Sequence, residues 1–178
     1  MFKAMSRAGL RLGSNIGFKG RYHPKDPALQ IQAGRHWIEG VLEIPVLSFA
    51  QFPFPYLKRY RRLTIAGVGR REFVSVLRAA RANRISPIVI LMHPHEFVKG
   101  AKPGWPGVRP NRVTKGRFES LCEFLGENAH EFVPVSFGEA ASRWLDEGKL
   151  APPEVSAAIV PSLGTLLQNK VNDLVRWV

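Results

Sequence analysis

The feature that most constrains this chain is a short uncharged run, Ser86–Met92, which ends in His93, Pro94, His95 and Glu96. The run is far shorter than the roughly 20 apolar residues that a membrane-spanning helix needs. A short apolar run bounded by turn residues is typical of a strand buried on both faces, as in a parallel sheet. Functional groups in such sheets collect at the carboxyl ends of strands. The run therefore predicts an α/β fold with a candidate site near His93.

The segments around this run also indicate alternating helices and strands. Apolar residues at helical spacing predict a helix over 69–84 that leads directly into the run, and a second helix over 114–129. Cys122 falls in the apolar stripe of the second helix, so we expect a small core residue, and a single cysteine excludes an intrachain disulfide. A short strand is expected over 131–135.

The C-terminal part of the chain is predicted to be helical. A Ser-x-x-Glu capping box at residues 136–139 marks the start of one helix. Apolar residues at helical spacing predict an amphipathic helix over 165–178. Because two consecutive prolines, 152 and 153, break the pattern, we assign residues 1–150 to the α/β domain and 151–178 to a helical tail.

Composition narrows the classes of protein. A 178-residue chain with 45% hydrophobic residues can build a core, which excludes a disordered protein. The formal charge of +12 indicates an anionic partner, and between residues 44 and 118 there are fifteen Lys or Arg but only two acids, Glu72 and Glu96. The sequence shows no secretory signal, so the location stays unassigned, with the cytoplasm as the default.

Among the residues that could take part in catalysis, His93 is the strongest candidate. Residues 89, 91 and 93 share a strand face, which places an imidazole beside Leu91 and suits a general acid or base next to a small acyl pocket. The alternative is a strand-end histidine that hydrogen-bonds to backbone. His93 and His95 also have a metal-ligand spacing, but no matching carboxylate cluster accompanies them, so we assign no metal ligand.

Two other segments carry candidate binding residues. In the apolar strand predicted over 40–49, Glu43 is an unexpected acid. The aromatic and basic stretch 52–62 could form a sugar-binding wall or bind nucleic acid, and we do not favour nucleic acid because no recognised motif is present. The Gly- and Pro-rich loop 97–113, which contains Trp105, follows the apolar run and is expected to form a wall of the site.

Three motifs in order resemble a known family: AMSRAGLRLGSN at residues 4–15, GVLEIPV at 40–46 and ILMHPHE at 90–96. Over roughly residues 1–147 the chain resembles the second half of the polysaccharide deacetylases, the NodB homology domain of carbohydrate esterase family four. The resemblance implies part of a distorted (β/α) barrel whose N-terminal strands are missing. It also implies a hydrolase that removes acetyl groups from an N-acetylated sugar polymer with a zinc-type divalent metal.

The resemblance also implies roles for individual residues. His93 would be the catalytic general acid, and Leu91 would line the acetyl pocket; we add Glu43 and Trp105 as substrate-binding residues. The family's metal-binding motifs, an aspartate pair and a His-x-x-x-His, do not occur in this sequence. We therefore expect a C-terminal portion of a deacetylase that acts only when the metal-binding half is supplied. The alternative is a non-catalytic glycan-binding or assembly module that holds an anionic glycan on its basic surface.

Overall fold

The computed structural model describes residues 1–17, 26, 29–52, 59–100, 107–152 and 155–174. Its α-helices are α1 (Phe2–Arg7), α2 (Arg70–Ala82), α3 (Arg112–Glu127), α4 (Phe137–Glu147) and α5 (Ile159–Leu174), and a short 3₁₀-helix spans Pro94–Phe97. Its strands are β1 (Leu12–Gly13), β2 (His36–Ile38), β3 (Val41–Glu43), β4 (Ser48–Ala50), β5 (Tyr60–Arg62), β6 (Val98–Lys99) and β7 (Arg109–Pro110).

The described strands form three small sheets. In the three-stranded sheet, β3 lies in the middle, parallel to β1 and antiparallel to β2, with Leu12 opposite Leu42 and His36 opposite Glu43. The pairs β4–β5 and β6–β7 are antiparallel. The predicted mixture of helices and strands is present, and the barrel implied by the family resemblance stays a prediction.

Helix α2 packs on the main hydrophobic core and explains the strong periodicity of its sequence. Its buried apolar side chains, Phe73, Val76, Leu77 and Ala80, recur at helical spacing. They join a cluster that includes Phe49, Leu63, Leu121 and Phe124. A second cluster holds Leu42 and Ile44 of the β3 region against Ala140 and Trp144 of α4.

The apolar run lies between these two clusters, but its structure differs from the expected doubly buried strand. Ile88 and Ile90 pack against the main cluster, whereas Val89 packs against the second. Residues 87–91 are only half-buried and form two isolated parallel bridges, Val46 with Val89 and Thr64 with Leu91. Prolines at 87 and 94 have no N–H to donate, which limits the ladder that this segment can make.

Two local predictions were wrong. Residues 131–135 form no strand; Val133 and Val135 are exposed, and only Phe132 packs against the main core. Cys122 is exposed, because the buried face of α3 runs through Arg117, Leu121 and Phe124. An apolar stripe in a sequence gives the side of a helix to within about one residue, and Cys122 lies just past its edge.

The segment after residue 150 contributes to the same core. Val155 and Ala157 belong to the main cluster, and the Ala157 N–H donates to the Ala50 carbonyl over 2.9 Å. Helix α5 then packs on α2, and the buried Thr165 accepts from the Gly69 N–H over 3.0 Å. The expected C-terminal helix is present and begins earlier than predicted, and residues 175–178 of the prediction lie outside the described residues. None of the helices in the described part of the chain is both long and apolar enough to cross a membrane.

Candidate functional site

A cavity of about 410 Å³ lies where the apolar run ends. Leu91, His93 and Glu96 line one side of it, and β5 with the preceding Arg59 lines another. Helix α5 contributes Leu166. The volume of the cavity is within the range of small-molecule and sugar sites, so the cavity is the candidate ligand-binding site.

The local sequence orients His93. Pro94 begins the 3₁₀-helix, a position where its missing N–H costs nothing. Three residues after His93, Glu96 reaches back: Oε2 accepts from the His93 N–H over 3.1 Å, and Oε1 lies 3.2 Å from His93 Nδ1. The imidazole partner is thus a carboxylate rather than the backbone group of the alternative reading. Because Nδ1 faces the carboxylate, Nε2 is the ring nitrogen that remains for a ligand.

The same segment contains a group of possible metal ligands. Among the described residues, His93, His95 and Glu96 have ligand atoms up to 4.8 Å apart, and the two imidazoles stack at 5.1 Å between centroids. A zinc ion at about 2.1 Å from each donor needs ligand atoms closer together than about 4.2 Å. Small side-chain movements would bring the three donors within that distance, so the group could hold a metal ion, and the turn also accounts for the His93–Glu96 contact.

Arg61 is the most firmly held of the cavity's three arginines. Its Nη1 donates to Oε2 of the fully buried Glu72 over 3.2 Å, and Nη2 donates to the Gly67 carbonyl. Gln51 Nε2 lies 3.5 Å from the other oxygen of Glu72. Burial lowers the pKa of Arg61, the Glu72 carboxylate opposes this, and Arg59 adds to it.

Arg117 supports the turn that forms the cavity floor. This buried guanidinium donates to the Ala66 carbonyl, to Gln168 Oε1 over 2.7 Å and to Asn169 Oδ1 over 2.7 Å. Burial lowers the pKa of Arg117 to about 10, Arg61 adds to the effect, and Glu72 opposes it. Arg117 thus ties α3 and α5 to the turn at residues 66–67.

The structure brings two of the predicted site residues together. Leu91 and His93 both line the cavity, whereas Glu43 is fully buried and is not among its lining residues. The Glu43 carboxylate accepts from the Ile16 N–H over 2.7 Å and from Asn15 Nδ2 over 2.8 Å, and also from the Asn15 N–H. The Glu43 oxygens thus hold the segment that follows β1, away from the cavity lining, and its role as a substrate contact stays a prediction.

Other candidates fall outside the described residues or were missed. Trp105 lies outside the described residues, as do residues 53–58 of the aromatic stretch. Sequence reasoning missed Arg117 and Leu166, because neither belongs to a motif. The arginines of residues 59–62 were visible as a basic cluster, but their convergence on His93 depends on the pairing of residues 63–65 with the apolar run.

Comparisons with protein-family models, with curated proteins and with solved structures find no match to this chain.

Proposed function

We propose that this chain is a polysaccharide deacetylase-like protein that binds an N-acetylated sugar polymer in the cavity at Leu91 and His93. The observation that carries the proposal is the shared cavity of these two side chains, with Glu96 against His93 Nδ1. Deacetylation needs an apolar contact for the acetyl methyl group and a proton donor for the leaving amine. Leu91 and His93 supply these two groups, as the family resemblance implies.

In the proposed reaction, water gives a proton to a general base in the metal-binding half as it adds to the amide carbonyl, the C–N bond then breaks, and the sugar amine takes a proton from His93. The products are acetate and a free amino sugar. The resemblance implies a zinc-type metal that activates the water, but the aspartate pair and the His-x-x-x-His that would hold it in the family do not occur in this sequence. We therefore assign this chain the acyl pocket and the proton donor, and expect turnover only when the metal-binding half is supplied.

A second candidate is a glycan-binding or assembly module without turnover. Its support is the basic lining of the same cavity, where Arg59 and Arg62 accompany the paired Arg61. Such a module would need binding residues but no proton donor. Removal of the His93 imidazole should therefore lower acetate release if the first candidate is right, whereas the second candidate has no acetate release to lose.

The test measures binding and acetate release separately. The chain is titrated with N-acetylglucosamine oligomers by calorimetry, and acetate release is assayed with zinc and the metal-binding half of a family deacetylase. In the His93→Ala variant we expect acetate release to fall by about 100-fold or more, the usual contribution of a general acid, with little change in oligomer affinity. His130→Ala, an exposed histidine outside the cavity, is the matched control and should leave both unchanged.

Oligomer binding without acetate release would favour the second candidate. Equal acetate release by the His93→Ala and His130→Ala variants would remove His93 from the reaction. Absence of oligomer binding by the unaltered chain would overturn both candidates.

A further inference from the structure

The positive charge that lines the cavity is not balanced by its acids. Arg61 has Glu72 as its counter-charge, and the cavity's own carboxylate, Glu96, is engaged with His93. Within the described parts of the chain, no ion pair is formed by Arg59 or Arg62. Two guanidinium groups therefore line the cavity wall without a described carboxylate to offset them.

The strand that carries these arginines is fixed in place. Arg62 pairs with Ser48 and Tyr60 pairs with Ala50 across the β4–β5 ladder, and all three residues of β4 are buried. Beyond the ladder, the Gln51 N–H donates to the Arg59 carbonyl over 2.9 Å. The backbone positions of both guanidinium-bearing residues are thus determined by a buried neighbour strand.

Gly17 leaves room for the Arg62 side chain. A Cβ atom added at Gly17 would lie 2.6 Å from Arg62 Cδ, closer than real Cβ contacts allow, and 3.5 Å from Val46 Cβ. The aliphatic stem of Arg62 therefore passes directly over the glycine backbone. This contact positions the half-buried Arg62 before any ligand arrives, which lowers the entropy cost of binding.

We propose that Arg59 and Arg62 form a subsite for an anionic group, a carboxylate or sulfate, on a sugar unit next to the one whose acetyl group contacts Leu91. The proposal rests on the proposed function in that it uses the same cavity, and it narrows the substrate class to acidic N-acetylated polysaccharides. Guanidinium groups present fork-shaped donors that match the oxygens of carboxylate and sulfate. Arg61 keeps its ion pair with Glu72, so it adds to the positive electrostatic potential of the subsite but does not contact the ligand.

A sugar fits these observations better than a nucleic acid. Arg59 and Arg62 line one cavity together with an apolar side chain and an imidazole. Nucleic-acid binding depends on many phosphate contacts spread along a groove. An acidic glycan carries only one or two negative charges per disaccharide, and the two guanidinium groups of Arg59 and Arg62 can neutralise that number.

The experiment compares three probes by calorimetry at two salt concentrations: an oligomer of alternating N-acetylglucosamine and glucuronate, a neutral N-acetylglucosamine oligomer of equal length, and a single-stranded oligonucleotide. We expect the acidic oligomer to bind about 10-fold or more tightly than the neutral one, with the difference shrinking at high salt. The double variant Arg59→Gln/Arg62→Gln should remove that difference by weakening the acidic oligomer far more than the neutral one.

Two further variants test position rather than total charge. Arg7→Gln/Arg71→Gln removes the same charge from exposed helix positions outside the cavity and should change the acidic-oligomer affinity less than about 2-fold. Gly17→Ala keeps the charge but displaces the Arg62 stem, so it should weaken the acidic oligomer selectively. Melting curves of all variants establish that each is folded.

Several results would overturn the subsite. Equal binding of acidic and neutral oligomers would do so, as would equal losses in the two double-arginine variants or preference for the oligonucleotide. Titration with free glucuronate and sulfate separates this inference from the proposed function. Anion binding that needs Arg59 and Arg62, without any sugar-oligomer binding, would keep the subsite and refute the proposed function. Binding of the neutral oligomer without any preference for the acidic one would keep the proposed function and refute the subsite.

Discussion

The substitution Glu72→Gln tests whether the buried ion pair behind the cavity holds the structure together. Glu72 is fully buried, and its Oε2 accepts from Arg61 Nη1 over 3.2 Å. The Arg61 side chain is 18% exposed, and Arg117 is close enough for its pKa to be lowered by Arg61. Glutamine keeps the shape and one acceptor oxygen but removes the only counter-charge that Arg61 has among the described carboxylates. Two guanidinium groups would then repel each other in a region of low solvent access.

The expected loss can be bounded. Removing one partner of a fully buried ion pair costs about 3–5 kcal/mol, because the remaining charge is left desolvated. Water reaches Arg61 in part, and the glutamine oxygen still accepts a hydrogen bond, so we expect roughly 2–3 kcal/mol of unfolding free energy to be lost. In a chain of this size each kcal/mol corresponds to about 2–4 °C in Tm, which gives a fall of roughly 4–12 °C.

The measurement is thermal and urea unfolding followed by circular dichroism. Glu123→Gln is the matched control, since Glu123 and Arg70 are separated by 3.9 Å and each is more than 60% exposed. An exposed pair contributes about 0–1 kcal/mol, so this control should shift Tm by less than roughly 4 °C. The double variant Glu72→Gln/Arg61→Gln should recover part of the loss, because no unpaired charge remains. A Tm for Glu72→Gln equal to that of Glu123→Gln would refute a stabilising role for the buried ion pair.

Three further outcomes follow from the fold. Glu43→Gln should lower the unfolding free energy by about 2 kcal/mol, measured in urea, because an amide cannot accept all the N–H groups now bound by the carboxylate. Trp144→Ala should cost about 3–5 kcal/mol by removing the largest side chain of the second core, whereas the same change at the exposed Trp37 should cost much less, and equal losses would contradict a core at Trp144. Ser136→Ala should cost about 1 kcal/mol through loss of the α4 cap.

The α4 cap also has a pH signature. Hydrogen bonds from the Ser136 N–H and hydroxyl lower the pKa of Glu139. A lowered pKa in the folded state means that this stabilisation is present above the unfolded-state pKa and is lost as the pH falls through the folded-state pKa. Urea unfolding of the Ser136→Ala variant across acidic pH should therefore show a weaker pH dependence than that of the unaltered chain.

Elements whose signals are local could be predicted from the sequence. Helix α2 was expected over 69–84 and spans Arg70–Ala82, because its buried residues recur at the period of a helix within a single segment. Helix α4 begins at the residue that the capping box indicates, since Ser136 and Glu139 satisfy each other's backbone without help from elsewhere. The joint placement of Leu91 and His93 followed from the alternation of side chains along an extended segment.

Features that depend on distant partners could not be predicted. The apolar run contains the residues of a buried strand, yet its pairing is decided by Val46 and Thr64, which lie 43 and 27 residues earlier. Residues 131–135 are rich in β-formers, but no described strand accepts them as a neighbour. The role of Arg117 requires the side chains of α5, 51 and 52 residues further on. The periodicity of apolar residues indicates which side chains are buried, but it does not indicate which helix or strand they pack against.

The two buried acids show how this limit bears on function. Glu43 was visible in the sequence as an acid in an apolar strand and was linked to substrate, whereas Glu72 was noted only as one of two acids in a basic region. Glu43 binds N–H groups of the segment after β1, whereas Glu72 neutralises Arg61 from behind the cavity. The charge available to a ligand in the cavity is therefore set by Arg59 and Arg62, the two of its three arginines without such a partner. By the same reasoning, Glu72→Gln should strengthen binding of an acidic oligomer while it weakens the fold, because Arg61 then joins the unpaired charge.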